Sequence, residues 1–495
     1  MWVRSRFRVL SLILLLFVGA GPPAGLSSLS YAESIDIAPL ETKPLTLEAV
    51  LMQVQLNHPK LQGAELERRM AAAKRLEKQG AFDPAIVIDD DTQRYNSYPT
   101  RGKSKFETLN DVSVGMLTRY GAKISASSNY HYGDVKSPAS GTGAAGSHFL
   151  GLNVPLLRNA RINEKAAAER KAMLGEPLAN ADYTQARISL LLKASNTYWE
   201  WVAARLRADV NQQLTRLASV RAEQVLKRAK SGDLPLIDAV EANQEVQRRQ
   251  ELLVKSQRDF QKATFSVASY LWPAGQKPMG QQPESAGIEV NIPLASQVPD
   301  QLPQPQTLTD EAVQLAKVTA LKKRPELSQL ALLRDVTDVD LDLARNQLLP
   351  VLDLYAGPGI DTGENSVGPL FKAGVTLVVP LRNRTARGQI EQARLKLQKL
   401  DLDQRVVVQQ ILLEVEDTAS ELNMTQQRFE AASQSYALAR QLEAGEQSRF
   451  ALGDSTLFLV NQRERATAEA LIKCIEVQTE AQQAQARLQA VTGEL

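Results

Sequence analysis

The sequence predicts a mainly α-helical chain with a minority of membrane-length β-strands, written twice in tandem. Three observations carry this. From Arg382 to Thr492 the pattern is helical, with no proline and only Gly388 and Gly445 before Gly453. The first helix there runs for about 70 residues, or about 100 Å at 1.5 Å per residue. Elsewhere the period changes from a helical one to two, the signature of strands. Finally, motifs recur: Arg228-Ala-Lys-Ser-Gly232-Asp233 returns as Arg449-Phe-Ala-Leu-Gly453-Asp454 at an offset of 221. Asn57-His-Pro59 returns as Lys323-Arg-Pro325 at 266, and Asn153-Val-Pro155-Leu156 as Val378-Val-Pro380-Leu381 at 225. Recurrence of this kind marks a repeat architecture. The unequal offsets place most of the extra length of the first repeat between Pro84 and Pro155.

The N-terminus reads as a secretory signal over residues 1–32. Arg4, Arg6 and Arg8 precede an apolar run, Val9 to Ala20, too short to span a bilayer, and Ser30-Tyr31-Ala32 fits a small-x-small cleavage site. The mature chain is expected to start near Glu33. Of 58 basic and 56 acidic residues, the signal removes three basic ones, leaving 55 against 56 and a net charge of −1. That balance gives no footprint for nucleic acid. The single Cys474 excludes an intramolecular disulfide framework. No later apolar run reaches 18 residues, so any crossing of a membrane must be made by strands.

The first repeat is expected over 33–272. Leu47, Val50, Leu51, Val54 and Leu61 form a helical stripe, with Pro59 as a kink or restart. Strands are expected over about 84–155: Ala85 to Tyr95, Val112 to Met116, Lys123 to Tyr132 and Leu150 to Val154. In the third, Ile124, Ala126, Ser128, Tyr130 and Tyr132 share one face. Arg119-Tyr120-Gly121 is a tight turn, and Gly133 to Gly146 a polar loop. A helical hairpin follows over about 158–271. Gly175-Glu176-Pro177 predicts a kink or helix junction, and Tyr198, Trp199 and Trp201 read as packing residues. Ala239, Val246, Leu253, Phe260 and Val267 keep strict seven-residue spacing, a coiled-coil seam. Offset by 221, the second seam reads Val460, Thr467, Cys474, Ala481 and Leu488, which makes Cys474 a small core residue rather than a nucleophile.

A proline-rich linker spans 273–306 and is expected to cross the helices. The second repeat, 307–495, has a Pro325-broken helix over Thr307 to Asn346. Its strands fall at about 350–380, Val351 to Gly357 and Phe371 to Val379, and its helical hairpin at about 382–492. The chain thus offers four to six strands of bilayer length. The smallest closed barrels use about eight, and an open edge in lipid leaves backbone groups unpaired. One copy cannot seal itself, so copies are expected to assemble in a ring, with the long helices extending the barrel as a hollow cylinder.

These residues resemble the outer membrane efflux protein family, of TolC-like channels. The resemblance rests on Leu45-Thr-Leu-Glu-Ala-Val with Asn57-His-Pro59, on Val154-Pro155-Leu156-Leu157-Arg158, and on both Arg-x-x-x-Gly-Asp turns. It implies a homotrimer with a 12-stranded barrel, four strands per chain, above an α-helical periplasmic tunnel. It also implies an outer-membrane location and the role of exit duct in tripartite efflux or type I secretion. The partners implied are a periplasmic adaptor protein and an inner-membrane pump or ABC secretion ATPase, with outer-membrane lipid around the barrel. Arg228, Gly232, Asp233, Arg449, Gly453 and Asp454 then become adaptor-contacting tips, and Asp238 a tunnel-lining acid.

Two departures stand out. Leu459 and Gln462 replace the acidic residues that the family often carries after the second tip glycine. The first repeat also offers four strands, so a hairpin near Val112 to Tyr132 either enlarges the barrel or lies outside it.

Other charged groups carry plainer readings. Asp89-Asp90-Asp91 reads either as an ion-attracting ring in a pore or as a solvated strand end. Asp233 and Asp454 are expected to cap the returning helices, and Arg228 and Arg449 to serve the ends of the preceding ones. His58, His131 and His148 lack metal-ligand spacing. No Ser-His-Asp set or phosphate loop is evident, so the chain is expected to be no enzyme and to need no cofactor. The rival class is a periplasmic coiled-coil adaptor or envelope scaffold with no pore.

Overall fold

The computed structural model describes residues 44–96, 104–135, 141–273, 290–363 and 366–495. The expected signal peptide, part of the loop after Gly133 and residues 274–289 of the linker lie outside these residues. Each repeat opens with two short helices in line, α1 (Leu47–Asn57) with α2 (Pro59–Gln79), and α5 (Asp310–Lys323) with α6 (Pro325–Asn346). Their boundaries follow from chemistry. The Thr46 and Thr309 hydroxyls accept the Ala49 and Ala312 amides, both at 3.3 Å, capping α1 and α5. Pro59 and Pro325 each stand at the first turn of the next helix, where a missing N–H costs nothing and φ is preset. His58 caps α2 by accepting the Lys60 amide on Nδ1 at 3.1 Å.

The strands are β1 (Ala85–Asn96), β2 (Ser104–Leu117), β3 (Lys123–Gly133), β4 (Ser147–Pro155), β5 (Val351–Gly363) and β6 (Ser366–Val378). They form one antiparallel sheet in the order β1-β2-β3-β4-β5-β6. This corrects the four strands per chain that the resemblance implies. The hairpin around Val112 to Tyr132 is β2–β3, and it lies within the sheet, paired on both sides. β2 is longer than expected because its first half, Ser104–Asp111, is mixed in polarity and hides its alternation.

Register gives the sheet two unlike faces. Ile86 sits beside Val114, Val114 beside Ala126, and Ala126 beside Leu150. Further across, Leu352 faces Leu377 and Leu354 faces Val375. Ile86, Ile88, Leu150, Phe371, Val375 and Leu377 on this face are exposed. The opposite face carries Asp89, Asp91, Glu107, Asp111, Asn129 and His131, with Glu107 buried and His131 Nε2 at 3.0 Å from an Asp111 oxygen. The Asp89–Asp91 run is therefore mid-strand, not a strand end. Asp89 and Asp91 point to the polar face and Asp90 to the other.

Two helical hairpins leave the sheet: α3 (Glu164–Lys230) with α4 (Leu236–Ala268), and α7 (Arg384–Ala451) with α8 (Leu457–Val491). α3 continues unbroken through Pro177, so the expected junction at Gly175-Glu176-Pro177 is absent. A mid-helix proline costs about 3 kcal/mol or more, but α2 and α6 pack along α3 here. Arg75 of α2 also reaches Glu176 at 3.3 Å.

The main core lies where α1, α3, α4 and α8 meet, around Tyr198, Trp201, Val202 and Val267. Trp201 is fully buried, and its Nε1–H donates to Thr264 Oγ1 at 3.0 Å. The Tyr198 hydroxyl donates to the Leu45 carbonyl at 2.9 Å, and burial pushes its pKa up to about 12. Val298 and Leu302 of the segment before α5 join this core. The seams are buried at Ala239, Leu253, Val267, Val460, Cys474, Ala481 and Leu488. Cys474 is a core residue, and burial raises its pKa.

Trp201→Ala removes the largest fully buried side chain and its bond to Thr264 Oγ1, which keeps only the Phe260 carbonyl at 2.9 Å. It is expected to cost roughly 3–5 kcal/mol, read as a lower thermal midpoint by circular dichroism. An unchanged midpoint would place the stabilising core elsewhere.

Candidate functional site

Three features could serve transport: the hairpin tips, a charged cluster above them and an uncovered stripe on α7. At the first tip, Gly232 has φ of 85°, a left-handed conformation that only glycine adopts freely. Its N–H donates to the Ala229 carbonyl at 3.2 Å, and the Asp233 N–H to the Arg228 carbonyl at 3.0 Å. The second tip repeats this pattern. Gly453 has φ of 83°, with Gly453 N–H to Phe450 at 3.1 Å and Asp454 N–H to Arg449 at 2.9 Å. Both are Schellman ends. A Cβ added at either glycine would meet nothing within 4 Å. The glycines therefore answer a backbone demand, not crowding.

The tips lie side by side. Leu457 packs among Ala222, Val225, Ala229, Ala239 and Ala242 of the first hairpin, with Phe450 against them. Arg228, Asp233, Arg449 and Asp454 are exposed. Contrary to the expectation from sequence, the aspartates do not cap the returning helices. Thr456 caps α8 with its hydroxyl, while Pro235 precedes α4 with no side-chain cap. Each tip needs two further residues to turn, which pushes the cap past the aspartate. Arg449 instead bridges its own turn, Nε to Asp454 Oδ2 at 3.4 Å and Nη2 to the Asp454 carbonyl at 3.1 Å. Asp238 is half-buried in the first turn of α4, where its charge suits the helix dipole.

Above the tips, sequence reasoning missed a buried charge cluster. Glu464 of α8 is 1% exposed. It pairs with Arg221 of α3 and, at 2.9 Å, with Arg249 of α4. Arg249 also donates to Glu245 at 2.8 Å and to the Leu214 carbonyl at 3.1 Å. Gln447 of α7 donates to Glu464 at 3.3 Å, so one carboxylate draws together four helices. At the repeat offset of 221, Glu464 corresponds to Asn243, Arg249 to Ala470 and Arg221 to Leu442. The cluster breaks the duplication, and that mismatch was its only signal in the sequence.

The second missed feature is on α7. Leu395, Leu402, Val406, Leu413, Met424, Leu438 and Leu442 are all exposed. At 100° per residue they fall within about 40° of one another around the helix axis. α7 packs its other faces on α5, α6 and α8. The spacing of seven and eleven was legible in the sequence.

Residues 318–494 match the sequence profile described as outer membrane efflux protein. No curated protein matches the chain significantly in sequence. Solved structures match throughout. The Campylobacter jejuni CmeC outer membrane channel aligns at 13% identity and a TM-score of 0.63, covering 90% of this chain and 85% of that one. The Vibrio cholerae outer membrane protein VceC aligns at 15% and 0.63, covering 90% and 96%. The Neisseria gonorrhoeae MtrE outer membrane channel, in its open state, aligns at 12% and 0.63, covering 91% and 89%.

Burial opposes ionisation of Glu464, but its bonds with Arg221 and Arg249 outweigh this and hold its pKa below the ordinary value of 4.5. A carboxylate whose pKa is lowered on folding contributes stability that is complete above the unfolded value. That contribution fades as pH falls through the folded value. Glu464→Leu is expected to destabilise by about 3 kcal/mol at neutral pH, because Arg221 loses its carboxylate and Arg249 keeps only Glu245. The gap to wild type should narrow in acid-unfolding curves below about pH 4.5; a gap independent of pH would refute the assignment.

In sequence over residues 318–494, and in fold over the described chain, this protein is similar to the outer membrane efflux proteins, the TolC-like channels.

Proposed function

We propose that the protein is an outer-membrane channel, acting as a homotrimer and as the exit duct of a tripartite efflux or type I secretion system. The observation that carries this reading is that one chain leaves two apolar surfaces uncovered. The outward face of the sheet suits lipid, and the α7 stripe suits a helix of a neighbouring copy. A straight apolar stripe at heptad-like spacing is what coiled-coil neighbours bury. Among the described residues no helix is long and apolar enough to cross a membrane. The sheet is thus the part that sits in the outer membrane, with the hairpins reaching into the periplasm.

In this reading, cargo enters at the tips from a periplasmic adaptor fed by an inner-membrane pump or ABC secretion ATPase. Arg228, Gly232, Asp233, Arg449, Gly453 and Asp454 are the adaptor contacts, and Asp238 lines the entrance. The tips suit that role because they are exposed and rigidly turned, with Leu452 and Leu236 also standing in solvent. No catalytic step is assigned.

Two measurements test the reading. Fractionation should find heat-modifiable trimers in the outer membrane; a soluble periplasmic pool would favour a scaffold without a pore. The double variant Gly232→Asn with Gly453→Asn places side chains in open space at both tips. Asn is the side chain best suited to a left-handed backbone, and its cost there is at most about 1–2 kcal/mol each. Trimers should persist while export falls at least tenfold. Intact trimers with undiminished export would remove the tips from the adaptor interface.

A further inference from the structure

The two ends of the sheet carry an inference about how it closes. β1 and β6 are its edges, and among the described residues no strand of the same chain pairs beyond either. Unpaired edge groups are not tolerated in lipid. Six strands is an even number, so β6 of one copy beside β1 of the next runs antiparallel, as bacterial outer-membrane barrels require.

The register supplies the tilt such a barrel needs. β1, β3 and β5 start, and β2, β4 and β6 end, on the side of the sheet joined to the helices. Ile86 stands one residue above that end of β1. Following the pairs, Val114 stands three above the end of β2, Ala126 three above that of β3, and Leu150 five above that of β4. Within the next joint Leu152, three above, faces Ala356, five above, and Ala356 faces Ala373, five above. The row therefore climbs six residues over five strand spacings. That is about 20 Å of rise over about 24 Å, a tilt of about 40°. Barrels use roughly 35–45°. β1, β2 and β3 share this slope with β4, β5 and β6, and they share the exposed apolar face through Ile86, Val114 and Ile124. No hairpin stands apart from the sheet.

We propose that β6 of one copy pairs with β1 of the next, so that three copies close an 18-stranded barrel instead of a 12-stranded one. The copy number rests on the homotrimeric channel reading above; the six-strand sector does not. At equal tilt, barrel diameter grows with strand number, so the barrel is about 1.5-fold wider. The outward face of β1 is apolar at Ile86 and Ile88 but polar from Asp90 on, so the β6–β1 joint is apolar on both sides at its helix end, and further along it sets polar β1 residues beside Phe371 and Pro369 of β6.

Cysteine pairs in native outer membranes test this, in a Cys474→Ser background. Joints within the sheet climb by zero to two residues. Ala373 of β6 should therefore lie against Asp90 or Thr92 of the next copy. Ala373→Cys with Asp90→Cys, or with Thr92→Cys, should give covalent trimers under oxidation, dissolved by reductant. In the same membranes Ile88→Cys with Val112→Cys should close within one chain. Two results would overturn the 18-stranded barrel while leaving the channel standing. One is trimers linked through Ala373→Cys and Ser128→Cys, which puts β1–β2 outside. The other is an Ile88→Cys bond to Leu150→Cys, which puts β2–β3 outside. A protein recovered only as monomers would overturn both the barrel and the trimeric reading. Cryo-EM of the purified trimer provides a second readout, with 18 strands supporting the proposal and 12 refuting it.

Discussion

Backbone groups at the edge of a sheet cannot be left bare in hydrocarbon, and most of this molecule follows from that constraint. Six strands end in two open edges, and six strands cannot close alone. In the proposed ring, a second copy is placed so that edge meets edge. Helices leaving the sheet would then also run beside those of neighbours, and the uncovered α7 stripe fits a helix with part of its packing reserved for another chain. An isolated helix of 68 residues has few reasons to stay straight. A helix lying between its own hairpin partner and a neighbour has two.

Duplication solves the construction problem economically and then sets the limits of symmetry. α1, α3 and α4 are matched by α5, α7 and α8 in order and in packing, and the caps at Thr46 and Thr309 are the same chemistry written twice. The tips are also the same: a left-handed glycine, a six-to-one bond and an exposed aspartate. Departures from symmetry fall in two places. One is the added β2–β3 hairpin, which changes the size of the sheet sector. The other is the Glu464 cluster, which ties α8 to α3 and α4 with groups that have no counterparts across the repeat. A buried carboxylate between two arginines contributes little beyond an apolar packing of the same volume. What it does supply is a single arrangement in which four helices meet at it, and so it fixes how the hairpins sit against each other just above the tips.

Much of this was legible in the residues. Alternation such as Ile124 to Tyr132 marked strands because successive side chains point to opposite faces, which here differ in polarity. Seven-residue spacing marked the α4 and α8 seams, and both tips were visible as Gly-Asp after a long helix. What escaped was decided by neighbours. Pro177 reads as a helix breaker locally, yet α3 continues because packing against α2 and α6 outweighs one missing hydrogen bond. The first half of β2 pairs on both sides, so tertiary ladders hold it without clean alternation. Asp233 and Asp454 looked like caps because they precede helices, but the turn geometry carries the cap to the next residues. The Glu464 cluster joins residues more than 200 positions apart, and no local pattern announces such a contact.

The tips and the sheet answer opposite demands, and the long helices allow both. A barrel in lipid must be closed and rigid, so every strand is paired and the turn at Gly121 is tight. In the proposed channel, the entrance at the tips must be able to change. The chain places its largest side chains, Trp201 and Tyr198, far along α3 from the tips, and lines the hairpins near the tips with alanines: Ala222, Ala229, Ala239 and Ala242. Small side chains bury little area per contact, and apolar stabilisation scales with area. Near the tips Val225, Leu457 and Phe450 pack among these alanines, and the charge cluster above adds directional contacts. Side-chain size thus falls over roughly 45 Å of α3, from an aromatic girdle to an end where alanines predominate.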